Sequence, residues 1–128
     1  MEKILATGRR KTATAVAFLK EGSGNVIINA SGDIILDEIL GNTVSISTGG
    51  SIAETIETSD ARDISATDLI LNVEGSVGES LNPIETWVSR LNAYVGDDIY
   101  LNNTGDLTID DFEGLTGYGI YAEYGSVN

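Results

Sequence analysis

The sequence predicts an all-β chain organised as a β-solenoid of four or five short coils, and three observations support this fold class. Short runs of Val, Ile, Leu and Tyr alternate with turn residues, and the 128 residues include 15 glycines but one proline. A signature of Gly or Asp, a polar residue and an aliphatic residue recurs along the chain. Aliphatic residues also pair at a fixed offset of eight. An antiparallel sandwich or barrel, the alternative fold, explains the alternation but not this offset.

The recurring signature predicts how the coils stack. Its copies occupy residues 32–34, 50–52, 75–77, 97–99, 105–107 and 125–127. The offset of eight joins Val26 to Ile34, Val44 to Ile52, Leu69 to Val77, and Ile99 to Leu107. Each predicted strand is too short to form a core alone, so it must bury its aliphatic face against the next coil. We therefore expect parallel pairing and one inward column, whose members are Ile34, Ile52, Val77 and Leu107.

The coil boundaries follow from the same aliphatic runs. Successive coils are expected to begin near Val26, Val44, Leu69, Ile99 and Ile120. Segment 82–91 departs from the strand pattern, because Pro83 and Glu85 suit a helix N-terminus. Helical spacing is also present, at Ile84, Trp87, Val88 and Leu91. This segment is expected to be a helix or an inserted turn that covers the coil, and we favour the inserted turn.

Charge divides the chain into two segments. Residues 1–20 contain five Lys and Arg and one Glu, whereas residues 21–128 contain two Arg and nineteen Asp and Glu. We predict a basic N-terminal strand or hairpin over residues 1–24 and the solenoid over residues 25–128. An acidic body repels phosphate backbones, so nucleic-acid contact could come only from the basic run Arg9, Arg10 and Lys11.

The composition excludes most catalytic and metal-binding chemistry. The chain has no Cys and no His, which removes disulfides, thiolate metal sites, the Ser-His-Asp triad and His-ligated metals. Neighbouring acids on a strand point to opposite faces, so paired aspartates at turns suit solvent exposure better than glycoside cleavage. We predict no catalytic residues, no cofactor and no metal ligands. A calcium site stays open as an alternative at Asp97, Asp98, Asp106, Asp110 and Asp111.

The aromatic residues and the apolar runs bear on partners and location. Six aromatic residues lie in the C-terminal third, and they are Trp87, Tyr94, Tyr100, Tyr118, Tyr121 and Tyr124. We expect them to pack over the coil or to cap its end, with a sugar-stacking surface as the alternative. No apolar run reaches the roughly 18 residues of a membrane span. The apolar run 13–19 is followed by Lys20 and Glu21, so we expect no signal peptide in this chain.

Most of the body resembles the repeat region of filamentous-haemagglutinin-like adhesins. The stretches that carry the resemblance are residues 24–36, 63–71, 78–91 and 98–109. The resemblance implies a right-handed parallel β-helix that acts as a rod or spacer in a large secreted or cell-surface protein, without catalysis. It implies lateral contacts with host or cell-surface macromolecules or carbohydrate. The open edge of a coil predicts end-to-end self-association or further repeats.

Residues 4–29 are similar to the opening of bacterial small ribosomal subunit protein nine. The similarity lies in the run LATGRRKTA at residues 5–13, in Phe18 and Leu19, and in Gly22–Gly24 with the strand that follows. It implies RNA contact through Arg9, Arg10 and Lys11. The basic tail of that family has no counterpart here, because residues 119–128 contain no Lys or Arg. A structural solenoid segment is therefore the predicted function, and RNA contact through the N-terminus is the alternative.

Overall fold

The structure, a computed structural model, describes residues 3–8, 15–20, 24–54, 62–112 and 119–128. These ranges contain β-strands and no helix, and the strands pair in parallel to form a β-solenoid of about four turns. The predicted fold class is confirmed, and the antiparallel sandwich is wrong for the described part of the chain.

Thirteen strands are present in the described ranges. They are β1 (Lys3–Gly8), β2 (Ala15–Lys20), β3 (Asn25–Ala30), β4 (Ile34–Leu40), β5 (Thr43–Thr48), β6 (Ile52–Glu54), β7 (Ile64–Ser65), β8 (Asp68–Val73), β9 (Ile84–Trp87), β10 (Arg90–Val95), β11 (Leu101–Asn103), β12 (Thr108–Ile109) and β13 (Ile120–Ala122).

Two parallel sheets enclose one hydrophobic core. The first sheet has the order β1-β3-β5-β8-β10, and β12 and β13 both pair with β10 at its end. The second sheet has the order β2-β4-β7-β9-β11, with β6 also paired to β4. Most coils place one strand in the first sheet and continue through a corner into the second, and the core lies between the two sheets.

The interior of the first sheet consists of stacked aliphatic columns. One column contains Val26, Val44, Leu69 and Leu91, and the next contains Ile28, Ile46, Leu71 and Ala93. All eight residues are at most 2% exposed. The first column sets coil lengths of 18, 25 and 22 residues, so insertions occur between strands and not within the stack. Repeated burial of one aliphatic residue on the next is the main stabilising contribution.

The predicted column in the second sheet is confirmed for three of its four members. Ile34, Ile52 and Val77 pair in register, but the next member is Ile99, and Leu107 is not in the column. Leu107 immediately precedes β12 in the first sheet. In the first three pairs the eight-residue offset crosses from the first sheet to the second. From Ile99 to Leu107 the eight-residue offset leads from the second sheet back to the first. This pair therefore spans the opposite corner of the coil.

Two of the predicted coil starts are wrong. The first-sheet column that begins with Val26, Val44 and Leu69 continues with Leu91 and Ile109. Ile99 belongs to the second sheet, and Ile120 pairs with Ala93 in the neighbouring column. Strands of both sheets share the same alternation of buried and exposed residues, which is why the pattern alone did not distinguish them.

Segment 82–91 is neither a helix nor a covering turn. It supplies β9 of the second sheet and the beginning of β10 of the first, and Ile84, Val88 and Leu91 are buried in the core. The chain bends between the two strands near Val88. This bend places inward residues at spacings of four and three, which imitate the period of a helix.

The N-terminal strands extend the stack. We expected a hairpin, but β1 pairs in parallel with β3 and β2 pairs in parallel with β4, so the hairpin is wrong. The predicted boundary between residues 24 and 25 stays a prediction. Residues 9–14, which contain the basic run, lie outside the described residues.

The stacked columns predict a strong dependence of stability on single core residues. Ile46 is fully buried between Ile28 and Leu71, so Ile46→Ala should lower the free energy of unfolding by about 2–5 kcal/mol because it leaves a cavity. The neighbouring Ser47→Ala is the control, since Ser47 is only half-buried, and should change it by less than about 0.5 kcal/mol. Urea unfolding measures both. Equal effects would contradict the two-sheet core.

Candidate functional site

The recurring signature forms a ladder at the corner between the first and second sheets. Five of its six copies stack in one position, because their aliphatic members pair from coil to coil; these are Ile34, Ile52, Val77, Ile99 and Val127. The sixth copy, residues 105–107, lies at the opposite corner between β11 and β12. We call the five stacked copies the corner ladder. It is the most regular polar feature of the described chain.

Hydrogen bonds along the corner ladder join each coil to the next. The backbone N–H of Ile34 donates to the carbonyl of Ser51 at 2.9 Å, and three equivalent bonds of 2.8–2.9 Å follow in later coils. Polar side chains add a second set. Asp33 Oδ1 accepts the N–H of Ser51 at 2.8 Å, and Ser51 Oγ accepts the N–H of Ser76 at 3.0 Å. Asp98 Oδ1 accepts the N–H of Ser126 at 2.8 Å.

In three copies of the corner ladder, glycine precedes the polar residue at a point where adjacent coils approach too closely for a side chain, namely at Gly50, Gly75 and Gly125. A Cβ atom at Gly75 would lie 2.2 Å from Ser51 Oγ and 2.8 Å from the carbonyl oxygen of Gly50. A Cβ atom at Gly125 would lie 2.4 Å from the carbonyl carbon of Asp97. The signature therefore specifies a tight corner, with glycine for the close approach and Asp or Ser for the bond to the next coil.

A second polar feature is a group of three acidic side chains, Glu54, Asp63 and Glu85, whose carboxylate oxygens lie within 4.8 Å of one another. Glu54 is 8% exposed and Asp63 is 0% exposed. Glu54 ends β6, Asp63 precedes β7, and both strands pair with β4. Asp63 Oδ2 also accepts the backbone N–H of Glu85 at 2.8 Å. We call this group the carboxylate cluster.

The carboxylate cluster has the donor set of a site for a hard cation. Three carboxylates at this separation repel one another when ionised, and either a bound cation or a shared proton relieves that repulsion. Each of the three residues takes part in a further interaction within the protein. Glu54 pairs in register with the buried Leu36, where the strand pattern places an aliphatic residue. An acidic residue at a position where the pattern predicts an aliphatic one is the signal in the sequence that could have indicated the cluster.

The five aspartates considered for calcium do not converge. Among the described acids, the group close enough to share an ion is the carboxylate cluster, and it includes none of them. Asp98 binds a backbone N–H in the corner ladder. The others occupy turns and loops at the surface; they are Asp97, Asp106, Asp110 and Asp111. Sequence proximity of acids therefore did not indicate where acids meet in space.

The predicted nucleic-acid contact stays a prediction, because Arg9, Arg10 and Lys11 lie outside the described residues. The two arginines of the acidic body are both stacked on aromatic rings. Arg62 lies 4.0 Å from the centroid of Trp87, and Arg90 lies 4.2 Å from that of Phe112. Arg90 also forms a bidentate ion pair with Asp68 at 2.7 and 2.8 Å. Both arginines thus have local partners.

The aromatic residues separate onto two surfaces. Tyr94 and Tyr121 are neighbours in register on the first sheet and their rings stack with centroids 6.0 Å apart. The Tyr94 hydroxyl donates to the Glu123 carboxylate. Trp87 belongs to the second sheet and is 51% exposed. The expectation that aromatic residues pack over the coil holds for the Tyr94 and Tyr121 pair. Tyr118 lies outside the described residues.

Comparisons with known proteins assign no family. No family model matches the chain, and no solved structure matches it. Within the described residues, no helix has the length and apolar character needed to cross a membrane.

The corner ladder predicts that one side-chain oxygen contributes measurably to stability. Asp33→Ala removes the acceptor for the Ser51 N–H, so the free energy of unfolding should fall by about 1 kcal/mol. The Ser51 amide should also exchange its hydrogen faster, which NMR measures residue by residue. Asp33→Asn keeps an oxygen acceptor and should retain most of the protection. If both variants lose protection equally, charge and not the hydrogen bond holds the corner.

Tyrosine titration gives a pH-dependent test of the last coil. The hydrogen bond to Glu123 raises the pKa of Tyr94 from 10.0 to about 12, with smaller contributions from desolvation and nearby charge. The same carboxylate raises the pKa of Tyr124. Because the folded pKa exceeds the unfolded one, the stabilising bond is fully present below pH 10 and is lost as the pH rises through about 12.

Absorbance of tyrosinate measures this directly. Tyr94→Phe should remove the component that ionises near pH 12, and Glu123→Gln should move the pKa of Tyr94 back toward 10.0. An unchanged late component in both variants would contradict the hydrogen bond between Tyr94 and Glu123.

Proposed function

We propose that the chain is a structural segment of a large adhesin-like surface or secreted protein, in which the solenoid serves as a rigid spacer without catalysis. The observation that carries the proposal is the uninterrupted stacking of aliphatic columns and corner bonds from coil to coil. Each coil is fixed to its neighbours along the whole cross-section. Such a stack keeps its ends at a constant separation, which is the property a spacer requires.

The lateral faces support a role in contact with other macromolecules. The outward positions of β3, β5 and β8 are mainly polar, and they include Asn29, Ser47 and Asn72 in one row. At the end of that row the Tyr94 and Tyr121 rings lie next to the Glu123 carboxylate. Aromatic faces beside hydrogen-bonding groups suit carbohydrate, which is the lateral ligand class we propose.

The proposed location is the cell surface or the extracellular space, and it follows from the resemblance of residues 24–36 and 98–109 to adhesin repeats. The absence of cysteine is compatible with an oxidising compartment, because stability rests on stacking and not on disulfides. Partners at the ends of the stack are proposed to be further coils.

A distance measurement tests the spacer. Asn25 and Thr108 lie in one outward column, four coils apart through Thr43, Asp68 and Arg90. At about 4.8 Å per coil their backbones should be roughly 19 Å apart. Since the chain has no native cysteine, Asn25→Cys and Thr108→Cys can be spin-labelled selectively. Pulsed electron spin resonance should give one narrow distance that does not change with ionic strength.

The outcome that contradicts a spacer is a broad or multiple distance distribution in the folded protein. A matched control introduces the destabilising Ile46→Ala change, which should broaden the distribution if stacking is what holds the distance. Antibody labelling of intact cells of the source organism tests location. Labelling only after permeabilisation would contradict a surface role.

A further inference from the structure

A groove crosses three coils at the corner where the second sheet leads back to the first. Its volume is about 380 Å³, and its lining lies entirely within the described residues. One wall consists of outward residues that end strands of the second sheet, and the other consists of the corner residues that follow them. The two walls are Leu40, Ser65 and Trp87, and Asn42, Thr67 and Ser89. We call this surface the Trp87 groove.

The first wall has a gap at Ser65. Leu40 pairs in register with Ser65, and Ser65 pairs with Trp87, so the three side chains follow one another in successive coils. The small serine therefore lies between two large side chains, whose backbones are roughly 10 Å apart at about 4.8 Å per coil. This separation leaves room for one flat ring above Ser65, with Leu40 on one side and the indole on the other.

The second wall supplies hydrogen-bonding groups at the same spacing. The N–H of Thr67 donates to the Asn42 carbonyl at 2.9 Å, and the N–H of Ser89 donates to the Thr67 carbonyl at 3.0 Å. Thr67 Oγ1 also donates to Asn42 Oδ1 at 3.2 Å, which restrains both side chains. Between the walls the side chain of Ala66 packs against the core, so the main chain forms the floor of the groove.

The position of the Trp87 ring is fixed from neighbouring coils. Trp87 is 51% exposed. The Arg62 guanidinium lies 4.0 Å from the ring centroid but does not line the groove, so this contact leaves part of the ring facing the groove. A Cβ atom at Gly105 would lie 3.7 Å from the indole nitrogen, which places that edge of the ring beside the next coil. The groove therefore contains an aromatic surface that is already oriented.

The lining of the groove carries no charge. None of its residues is acidic or basic, although the chain has a formal net charge of −13. The overall charge repels an acidic ligand, and a basic ligand would meet no carboxylate in the lining. A neutral sugar has apolar ring faces and a rim of hydroxyl groups. Its faces match the indole and its rim matches the hydroxyl and amide groups of the second wall.

We propose that the Trp87 groove binds a neutral oligosaccharide, with one sugar ring inserted between Leu40 and Trp87. This proposal rests on the proposed contact of the lateral faces with carbohydrate, and it names a site and a ligand class separate from the Tyr94 and Tyr121 pair. Because the groove runs along the stack, the neighbouring sugars of an extended glycan should follow successive coils.

A titration of the unmodified chain tests the proposal. Trp87 is the one tryptophan of the sequence, so its indole N–H resonance reports on this groove alone. At least one of maltotriose, cellotriose and mannotriose, up to about 10 mM, should shift that resonance and the amides of Ala66, Thr67 and Ser89 in a saturable way. Trigalacturonate, an acidic trisaccharide, should leave them unchanged.

Two results of this titration would overturn the proposal. The first is the absence of a saturable shift with all three neutral sugars, and the second is equal binding of trigalacturonate. Shifts confined to the Tyr94 and Tyr121 pair would also overturn the groove as the site, but they would leave the lateral contact with carbohydrate intact. A narrow spin-label distance in a chain that binds no sugar would leave the spacer function intact.

Variants locate the bound sugar. Trp87→Ala should weaken binding about tenfold because the stacked ring is lost, as measured by the shift of the Thr67 amide. Tyr121→Ala removes an aromatic ring from the other surface and should leave the affinity unchanged. An equal loss in these two variants would overturn the site.

Filling the gap tests the position of the ring without removing the indole. Ser65→Leu should weaken binding at least tenfold, because the new side chain occupies the space between Leu40 and Trp87. Ser47→Leu is the matched control, since Ser47 is also a half-buried strand serine but lies on the first sheet. Circular dichroism confirms that both variants fold. Unchanged affinity in Ser65→Leu would overturn the proposed ring position.

Discussion

No coil of this protein has a core of its own, and this single constraint accounts for most of the structure. An inward residue such as Ile46 is buried because Ile28 precedes it and Leu71 follows it. The stabilising contact is therefore between coils, about 4.8 Å apart, and not within one. Every coil must deliver aliphatic residues to the same positions, whatever the length of the chain between them.

The corner ladder meets the same constraint on the polar side. Adjacent coils come so close at the corner that a Cβ atom at Gly50 would lie 2.5 Å from Asp33 Oδ1. Glycine permits the approach at Gly50, and side-chain oxygens of Asp33, Ser51 and Asp98 each accept a backbone N–H of the next coil. Apolar columns and polar ladder thus act along the same axis, and both join each coil to the next.

Departures from regular stacking mark the places with distinctive chemistry. Where β6 and β7 divide the second sheet, Glu54 stands at an inward position and meets Asp63 and Glu85. Where β12 and β13 divide the first sheet, the columns end half exposed, and Tyr94, Tyr121 and Glu123 form a lateral group. The proposed contact with carbohydrate lies near this second departure, at the Tyr94 and Tyr121 pair.

The sequence by itself determined the fold class, the parallel stacking and the column of Ile34, Ile52 and Val77. These follow from local patterns, since a two-residue alternation and a glycine followed by a polar residue report directly on strand and corner geometry. Only the tertiary structure decided which sheet each strand joins, so that Ile99 and not Leu107 continues the column and segment 82–91 becomes strand. The tertiary structure also brings together the carboxylate cluster, whose members are up to 31 positions apart in the sequence. The physical reason is that coil length varies, and residues that share a position in the stack therefore have no fixed separation along the chain.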